Sequence, residues 1–144
     1  MRHHLAVFAP QPLADILAGR KTIESRFARD RRPPYGRVAP GDLLWLKQSG
    51  GPLVGVATAA WVEEVANLTP DRVTELFERY PGILADPPYR AAKRSARFAT
   101  IIGLTAVRPL DACVIAGRGR SGWRLLAGPP VDCSVFPSPR LPRR

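Results

Sequence analysis

The sequence predicts an α+β fold, a small mixed β-barrel or strongly bent sheet with two or three flanking helices. Short strand-like segments outnumber helical segments, and the helical segments fall between them, which is the order that such a fold needs. The chain has 144 residues, the usual size of one domain, and 45% of them are hydrophobic. That composition is typical of a globular core and excludes a disordered chain.

The first third of the chain alternates between the residue pattern of a strand and that of a helix. Residues 4–9, "HLAVFA", predict a strand, and "PQPLADILAGR" predicts a helix with Leu13, Ile16 and Leu17 on one stripe. Gly19 is a typical helix stop. "KTIESRF" returns to strand chemistry and is expected to point Glu24 and Arg26 to the same face.

The middle of the chain predicts a hairpin and two helices. Residues 28–42 form a loop, and "DLLWLKQ" and "PLVGVATAAWVEEV" are strands joined by a glycine turn. Gly55 predicts a bulge in the second arm. "TPDRVTELFERY" is a helix capped by Thr69. "DPPYRAAKRSAR" predicts a short helix with Tyr89 and Lys93 on one face.

The last part of the domain predicts one strong strand and a basic loop. "RFATIIGLTAVRPL" carries the strongest strand signal, "DACVIA" is a further short apolar segment, and "GRGRSGW" is a basic loop ending in a ring. We expect one domain over residues 1–128. Residues 129–144 are a Pro-rich basic tail, with an edge strand expected around "CSVF".

The net charge is +10 and the isoelectric point is near 11. A positive field of this size is typical of proteins that bind nucleic acid, although an even spread of charge would only favour solubility. The chain has 19 Arg and only 3 Lys. The three lysines, Lys21, Lys47 and Lys93, are therefore candidates for roles that Arg cannot fill.

Several classes of protein are not expected. No apolar run approaches the ~20 residues of a membrane span, and the N-terminal residues do not predict a signal peptide, so the expected compartment is the cytoplasm. Cys113 and Cys133 match no metal-ligand spacing. We therefore expect free thiols, no metal and no cofactor.

One stretch identifies a family resemblance. In "ILAGRKTIESR" the residues Gly19, Lys21, Glu24 and Arg26 fill every position of a Gly-x-Lys-x-x-Glu-x-Arg pattern. This pattern, after a first helix, resembles the signature of the ASCH domain, and "PGDLLWLKQ", "LVGVATAAWVEEV" and "ARFATIIGLTAVRPL" are similar to its later strands. The resemblance covers roughly residues 4–110. It implies a PUA-like barrel with a cleft between barrel and helices, and RNA or a modified nucleotide as ligand.

The predicted function is RNA or single-stranded nucleic-acid binding through a basic cleft. The side chains expected to line it are Lys21, Glu24, Arg26, Lys47, Tyr89, Lys93 and Trp123. Tyr89 and Trp123 are the rings expected to stack on a base, whereas Trp45 and Trp61 are expected to pack in the core. The alternative for the signature is a Glu24–Arg26 ion pair that only braces the barrel.

Two other functions stay open. One is a small hydrolase or ribonuclease in the same cleft, with Lys21, Lys93 and Tyr89 as catalytic candidates. One branch of the ASCH family hydrolyses an acetylated cytidine with a Thr at the position of Glu24, so this chain departs from that branch at the nucleophile. The other is a protein-interaction domain with incidental charge. No oligomeric state is predicted.

Overall fold

The computed structural model describes residues 1–115 and 121–130, which fold around one six-stranded sheet with helices on both faces. The strands are β1 (His3–Phe8), β2 (Ile23–Ala28), β3 (Leu43–Gln48), β4 (Leu53–Val65), β5 (Phe98–Cys113) and β6 (Trp123–Leu126). The helices are α1 (Pro10–Leu17), α2 (Pro70–Arg79) and α3 (Pro87–Ala92), with a 3₁₀ helix at Pro81–Ile83.

The sheet is mixed and has two end strands. Its order is β2-β5-β4-β3-β1-β6, in which β1 and β3 are parallel and every other neighbouring pair is antiparallel. The register shifts at Leu53/Gly55 and at two further points between β4 and β5 bend these long strands. β2 has hydrogen-bonded partners on one side only, so its other edge is available to form the wall of a site.

The two faces of the sheet bury different helices. On one face, Leu13 and Ile16 of α1 pack against Phe8, Leu46 and Ile102. The opposite face of β2 and β5 packs against the segment from α2 to α3. The buried members of that second cluster are Phe27, Leu68, Val73, Leu76, Phe77, Ile83, Ala96, Ala99 and Ile101. β2 contributes Phe27 to the second cluster and no residue to the first.

Helix ends agree with the local sequence. The Thr69 side chain accepts a hydrogen bond from the Arg72 N–H and caps α2, and Asp86 caps α3 through the Tyr89 N–H. Gly19, with φ of +81°, ends α1 in the left-handed conformation that glycine adopts without strain.

The predicted α+β barrel-like sheet with flanking helices is confirmed, as is the bulge at Gly55. Two details were wrong. β5 continues through Cys113 as one strand, and Trp123 begins β6 instead of ending a loop, because residues 123–126 pair with β1. Cys113 is disulfide-bonded, so the expectation of a free thiol is wrong there. Cys133, the edge strand around "CSVF" and the tail from residue 131 lie outside the described residues.

The described part of the chain contains neither a helix able to span a membrane nor a cluster of metal-ligating side chains. None of its helices combines the length and the apolar composition that a membrane span requires. Residues 1–115 and 121–130 also contain no group of three or more His, Cys, Asp or Glu side chains arranged around a point where a metal ion could sit.

Candidate functional site

The main candidate site is a cavity of about 510 Å³ that runs along the open edge of β2. Its lining includes Glu24 and Arg26 from one face of this strand and Ser25 and Phe27 from the other. A cavity can reach both faces of a strand only where that strand has no neighbour. The position of β2 at the end of the sheet therefore creates the site.

Lys21 is fixed at the inner wall by the elements on either side of it. Its backbone N–H donates to the Asp15 carbonyl at the end of α1, and its ammonium donates to the Ile83 carbonyl oxygen at 2.6 Å. The same ammonium lies 3.4 Å from Oε1 of Glu24. Lys21 is 7% exposed and Glu24 is 5% exposed. The expected charge pair therefore exists, but it is mostly buried.

Arg26 closes the sheet across the cavity. Its Nε donates to Oε2 of Glu24 at 2.5 Å, Nη2 donates to the Val7 carbonyl at 2.9 Å, and Nη1 donates to the Gly122 carbonyl at 3.1 Å. Val7 lies in β1 and Gly122 directly precedes β6, so one side chain joins the two opposite edges of the sheet. The bracing role considered for the Glu24–Arg26 pair is thus present in the structure.

Two aromatic rings enclose the Arg26 guanidinium. Its Cζ lies 4.9 Å from the ring centroid of Phe8 and 5.1 Å from that of Trp123. Such cation–π contacts are worth about 0.5–2 kcal/mol each, depending on desolvation. A guanidinium has five N–H donors, and the described residues accept three of those of Arg26.

Trp123 is held by a buried polar chain. Its indole N–H donates to Nδ1 of His4 at 3.0 Å, and Nε2 of His4 donates to Oδ2 of Asp42 at 2.9 Å. Burial alone would raise the pKa of Asp42, but N–H donors from Arg2 and Ala39, together with His4, lower it below its usual value. Trp123 is only 2% exposed. It therefore forms part of a fixed wall and is not the exposed loop ring that the sequence predicted.

Tyr89 forms the opposite wall. Its hydroxyl donates to the Ser25 carbonyl at 3.1 Å and accepts from the Ser25 hydroxyl at 3.2 Å, and the Lys93 ammonium lies 5.3 Å from its ring centroid. Burial, with the negative charge of Glu24, raises the pKa of Tyr89 to about 12. The phenol is consequently neutral near pH 7 and is a hydrogen-bonding wall group.

The lining of the cavity is not basic overall. Its cationic residues are Lys21, Arg26, Arg32 and Lys93, and its acidic residues are Asp15, Glu24, Asp30 and Asp86. These charges cancel formally. The prediction of a cleft basic in its own lining is therefore not supported by the residues that form it.

The positive charge instead lies in the two chain segments that border the cavity. Apart from the lining residues, residues 20–37 contain four Arg, residues 86–97 contain three Arg, and neither range contains a further acidic residue. Several of these side chains are exposed, among them Arg29, Arg31, Arg90 and Arg94. The expected positive field is thus associated with the rim of the cavity.

Six of the seven predicted site residues line this cavity, and Lys47 does not. Lys47 lies on β3 opposite Val7 of β1, with its ammonium donating to the Gln48 carbonyl at 3.1 Å. It borders a second hollow of about 490 Å³. Its placement in the main cleft was wrong, because its side chain points away from the face of β1 that carries Phe8.

No sequence pattern indicated the other residues that form the walls of the cavity. Thr100 is opposite Arg26 in the β2–β5 register and lines the cavity. Thr100 is nonetheless buried, with 1% of its surface exposed. Tyr35 and Phe98, in edge contact at 5.3 Å, line the side formed by the loop after β2.

Comparison with solved structures yields close matches in fold. The crystal structure of ASCH from Zymomonas mobilis matches with a TM-score of 0.68 and 20% identity, over 87% of this chain and 87% of that chain. A variant from the same organism, in which one tyrosine is replaced by phenylalanine, matches with a TM-score of 0.68 and 19% identity. That match covers 88% of this chain and 91% of the other.

No protein-family model and no curated protein matches the sequence. The matched structures are ASCH domain proteins, as the pattern of Gly19, Lys21, Glu24 and Arg26 predicts. This chain therefore has the fold of an ASCH domain, a curled six-stranded sheet with three helices.

Proposed function

We propose that this protein binds single-stranded RNA by taking one unpaired nucleotide into the cavity along β2. The observation that carries the proposal is the arrangement of that cavity. A buried polar cluster lies at its inner wall, aromatic side chains line it, and cationic segments border it.

The size and the walls of the cavity suit a nucleotide. Ligand pockets commonly span ~300–1,000 Å³, and the volume of about 510 Å³ lies within that range. Stacking of a base on an aromatic ring contributes about 1–3 kcal/mol. Tyr89, Phe98 and Tyr35 are partly exposed or border the open side, and they offer such surfaces.

The inner wall offers both donors and acceptors. The Glu24 carboxylate accepts from Arg26 and lies near Lys21, and it has further lone pairs for an amino group of a base. Thr100 lines the same cavity, and its hydroxyl is a group that can both donate and accept. Protein donors and acceptors of this kind recognise the edges of unpaired bases. A paired base has fewer free donors and acceptors of its own, because its pairing edge is occupied.

The rim supplies the electrostatic contribution. A strand whose base enters the cavity carries its phosphates past the residues between 20 and 37 and between 86 and 97. Each Lys or Arg that contacts a phosphate releases counterions, so the affinity falls as salt rises. An acidic segment on the same rim would oppose binding, and both segments have a positive net charge.

The test is a fluorescence-anisotropy titration of labelled single-stranded RNA and its duplex at several salt concentrations. We expect tighter binding of the single strand and a negative slope of log affinity against log salt. Lys93→Gln is expected to reduce the slope by about one. Arg72→Gln, which removes an exposed charge on α2, is the matched control and should leave it unchanged. Equal binding at low and high salt contradicts the proposal.

The hydrolase alternative is favoured by one observation, a lysine ammonium buried beside a carboxylate in a cavity. Against it, His3 and His4 are absent from the cavity lining, and the Tyr89 phenol is neutral near pH 7. We expect no cleavage when labelled RNA and acylated nucleosides are incubated with the protein. Turnover of either substrate by the wild type that disappears in Lys21→Met would favour the hydrolase over the RNA-binding function.

A further inference from the structure

The second hollow borders the contact between Val7 of β1 and Gly122, here called the seam, which Arg26 also joins. It shares Val7, Phe8 and Gly122 with the first cavity, because both border the end of β1. The seam itself consists of hydrogen bonds from the Val7 N–H and from Arg26 to the Gly122 carbonyl. An RNA strand that leaves the first cavity over this seam would enter the second hollow next.

The sheet register places two cations in this hollow. Lys47 is opposite Val7 on one side of β1, and Arg124 is opposite Leu5 on the other side. Directly paired residues share a face, and Leu5 and Val7 point to the same face of β1. Lys47 and Arg124 therefore flank β1 on one face, opposite to the face that buries Phe8 and Trp123.

These cations are not neutralised by the described residues. The Lys47 ammonium donates to one backbone carbonyl, and the Arg124 guanidinium has neither an ion pair nor a hydrogen bond within residues 1–115 and 121–130. The described lining contains Lys47 and Arg124 but no Asp or Glu. This differs from the first cavity, in which acidic and basic residues balance.

The remaining polar groups are also suited to an anion. Ser49, Gly50 and Ser121 line the hollow. Gly50 has φ of +68°, and its N–H has no partner among the described residues, while its neighbours Ser49 and Gly51 donate to the Phe8 and Gln48 carbonyls. A lining that holds two cations and a backbone N–H with no partner among the described residues has the kind of donor set that binds phosphate oxygens.

We propose that the second hollow is a phosphate subsite, in which Lys47 and Arg124 hold the phosphate next to the nucleotide bound along β2. The proposal rests on the proposed RNA binding and adds a second, separate contact. It also gives Lys47 a role in recognition from outside the main cavity.

The test uses Lys47→Gln and Arg124→Gln with a labelled single-stranded RNA hexamer. Each variant is expected to weaken binding several-fold and to reduce the salt slope by about one. Lys47→Arg keeps the charge and should retain most of the affinity. Arg72→Gln is again the control for loss of a distant charge. Thermal unfolding of each variant separates a binding loss from a folding defect.

A second probe distinguishes phosphate binding from other effects of charge. In a hexamer with uncharged methylphosphonate linkages, wild type and Lys47→Gln should bind equally. Unchanged RNA affinity and salt slope in both Gln variants, while Lys93→Gln still weakens binding, would overturn the phosphate subsite and leave the main cavity intact. If none of these three variants weakens binding, the proposed function fails as well.

Discussion

The guanidinium of Arg26 on β2 donates a hydrogen bond to the carbonyl oxygen of Val7 on β1 at 2.9 Å. These strands lie near opposite ends of the sheet order, so the contact holds the curled sheet closed without strand pairing. The same guanidinium pairs with Glu24 inside the cavity. One residue therefore couples the shape of the fold to the shape of the site.

Arg26→Ala should destabilise the protein by about 3 kcal/mol, because it leaves the Glu24 carboxylate buried with only Lys21 nearby. The double variant Glu24→Gln/Arg26→Met should lose less, since it removes the buried charge together with its partner. Urea unfolding measures both. Arg29→Ala, an exposed arginine that contacts Ser95, is the control and should change stability by under about 0.5 kcal/mol. Equal losses for Arg26→Ala and Arg29→Ala would show that the brace contributes little.

Trp123→Phe should cost about 3 kcal/mol. It leaves Nδ1 of His4 without its donor in a fully buried position and removes ring volume from the core. Trp61→Phe is the matched control, because Trp61 is 37% exposed and stacks on Tyr80 at the surface. A loss at Trp123 no larger than that at Trp61 would contradict the buried His4–Trp123 hydrogen bond.

Tyr89 should make the protein sensitive to alkali. Its pKa is raised from 10.0 to about 12 in the folded state. The contribution of the protonated Tyr89 phenol to the free energy of unfolding is therefore complete below pH ~10. It is lost as the pH rises towards ~12, because Tyr89 loses its proton at a lower pH in the unfolded state than in the folded state. Tyr89→Phe should show a shallower loss of unfolding free energy over that range, by about 2 kcal/mol. Urea titrations at several pH values measure this. If the unfolding free energies of wild type and Tyr89→Phe fall in parallel with pH, Tyr89 is not the source of the sensitivity to alkali.

Thr100→Val tests the cavity without disturbing its charges. The substitution keeps the β-branched shape on β5 and removes only the hydroxyl of a residue that lines the cavity. Stability should stay within about 1 kcal/mol, whereas the affinity for single-stranded RNA should fall about five-fold, which corresponds to one hydrogen bond. Thr74→Val on α2, whose hydroxyl donates to the Pro70 carbonyl, is the control. Unchanged affinity in Thr100→Val would exclude this hydroxyl from the binding site.

Much of the fold was predictable because its signals are local. The stripe of Leu13 and Ile16, the stop at Gly19 and the cap at Thr69 each depend on a few neighbouring residues, and each element formed where it was expected. β6 was missed because a strand of only four residues, soon followed by two prolines, is too short to show the alternating pattern of a strand. Only pairing with β1, more than 100 residues earlier, defines that strand.

The site was predictable in part for the same reason. Lys21, Glu24 and Arg26 are close in sequence, and the α1–β2 junction keeps them close in space. Lys47 was misplaced because its face depends on the register of β3 with β1. The partners of Arg26 are backbone carbonyls of Val7 and Gly122, which no side-chain pattern can indicate.

The central claim is that the cavity along β2 receives an unpaired nucleotide. The most direct measurement is a titration of the ¹⁵N-labelled protein with a single-stranded RNA hexamer, followed by amide NMR. The account predicts saturable shifts for the amides of Ser25, Phe27, Leu84 and Thr100, with small changes on α2. Saturable binding that shifts α2 and leaves the amides of the β2 cavity unmoved would contradict it.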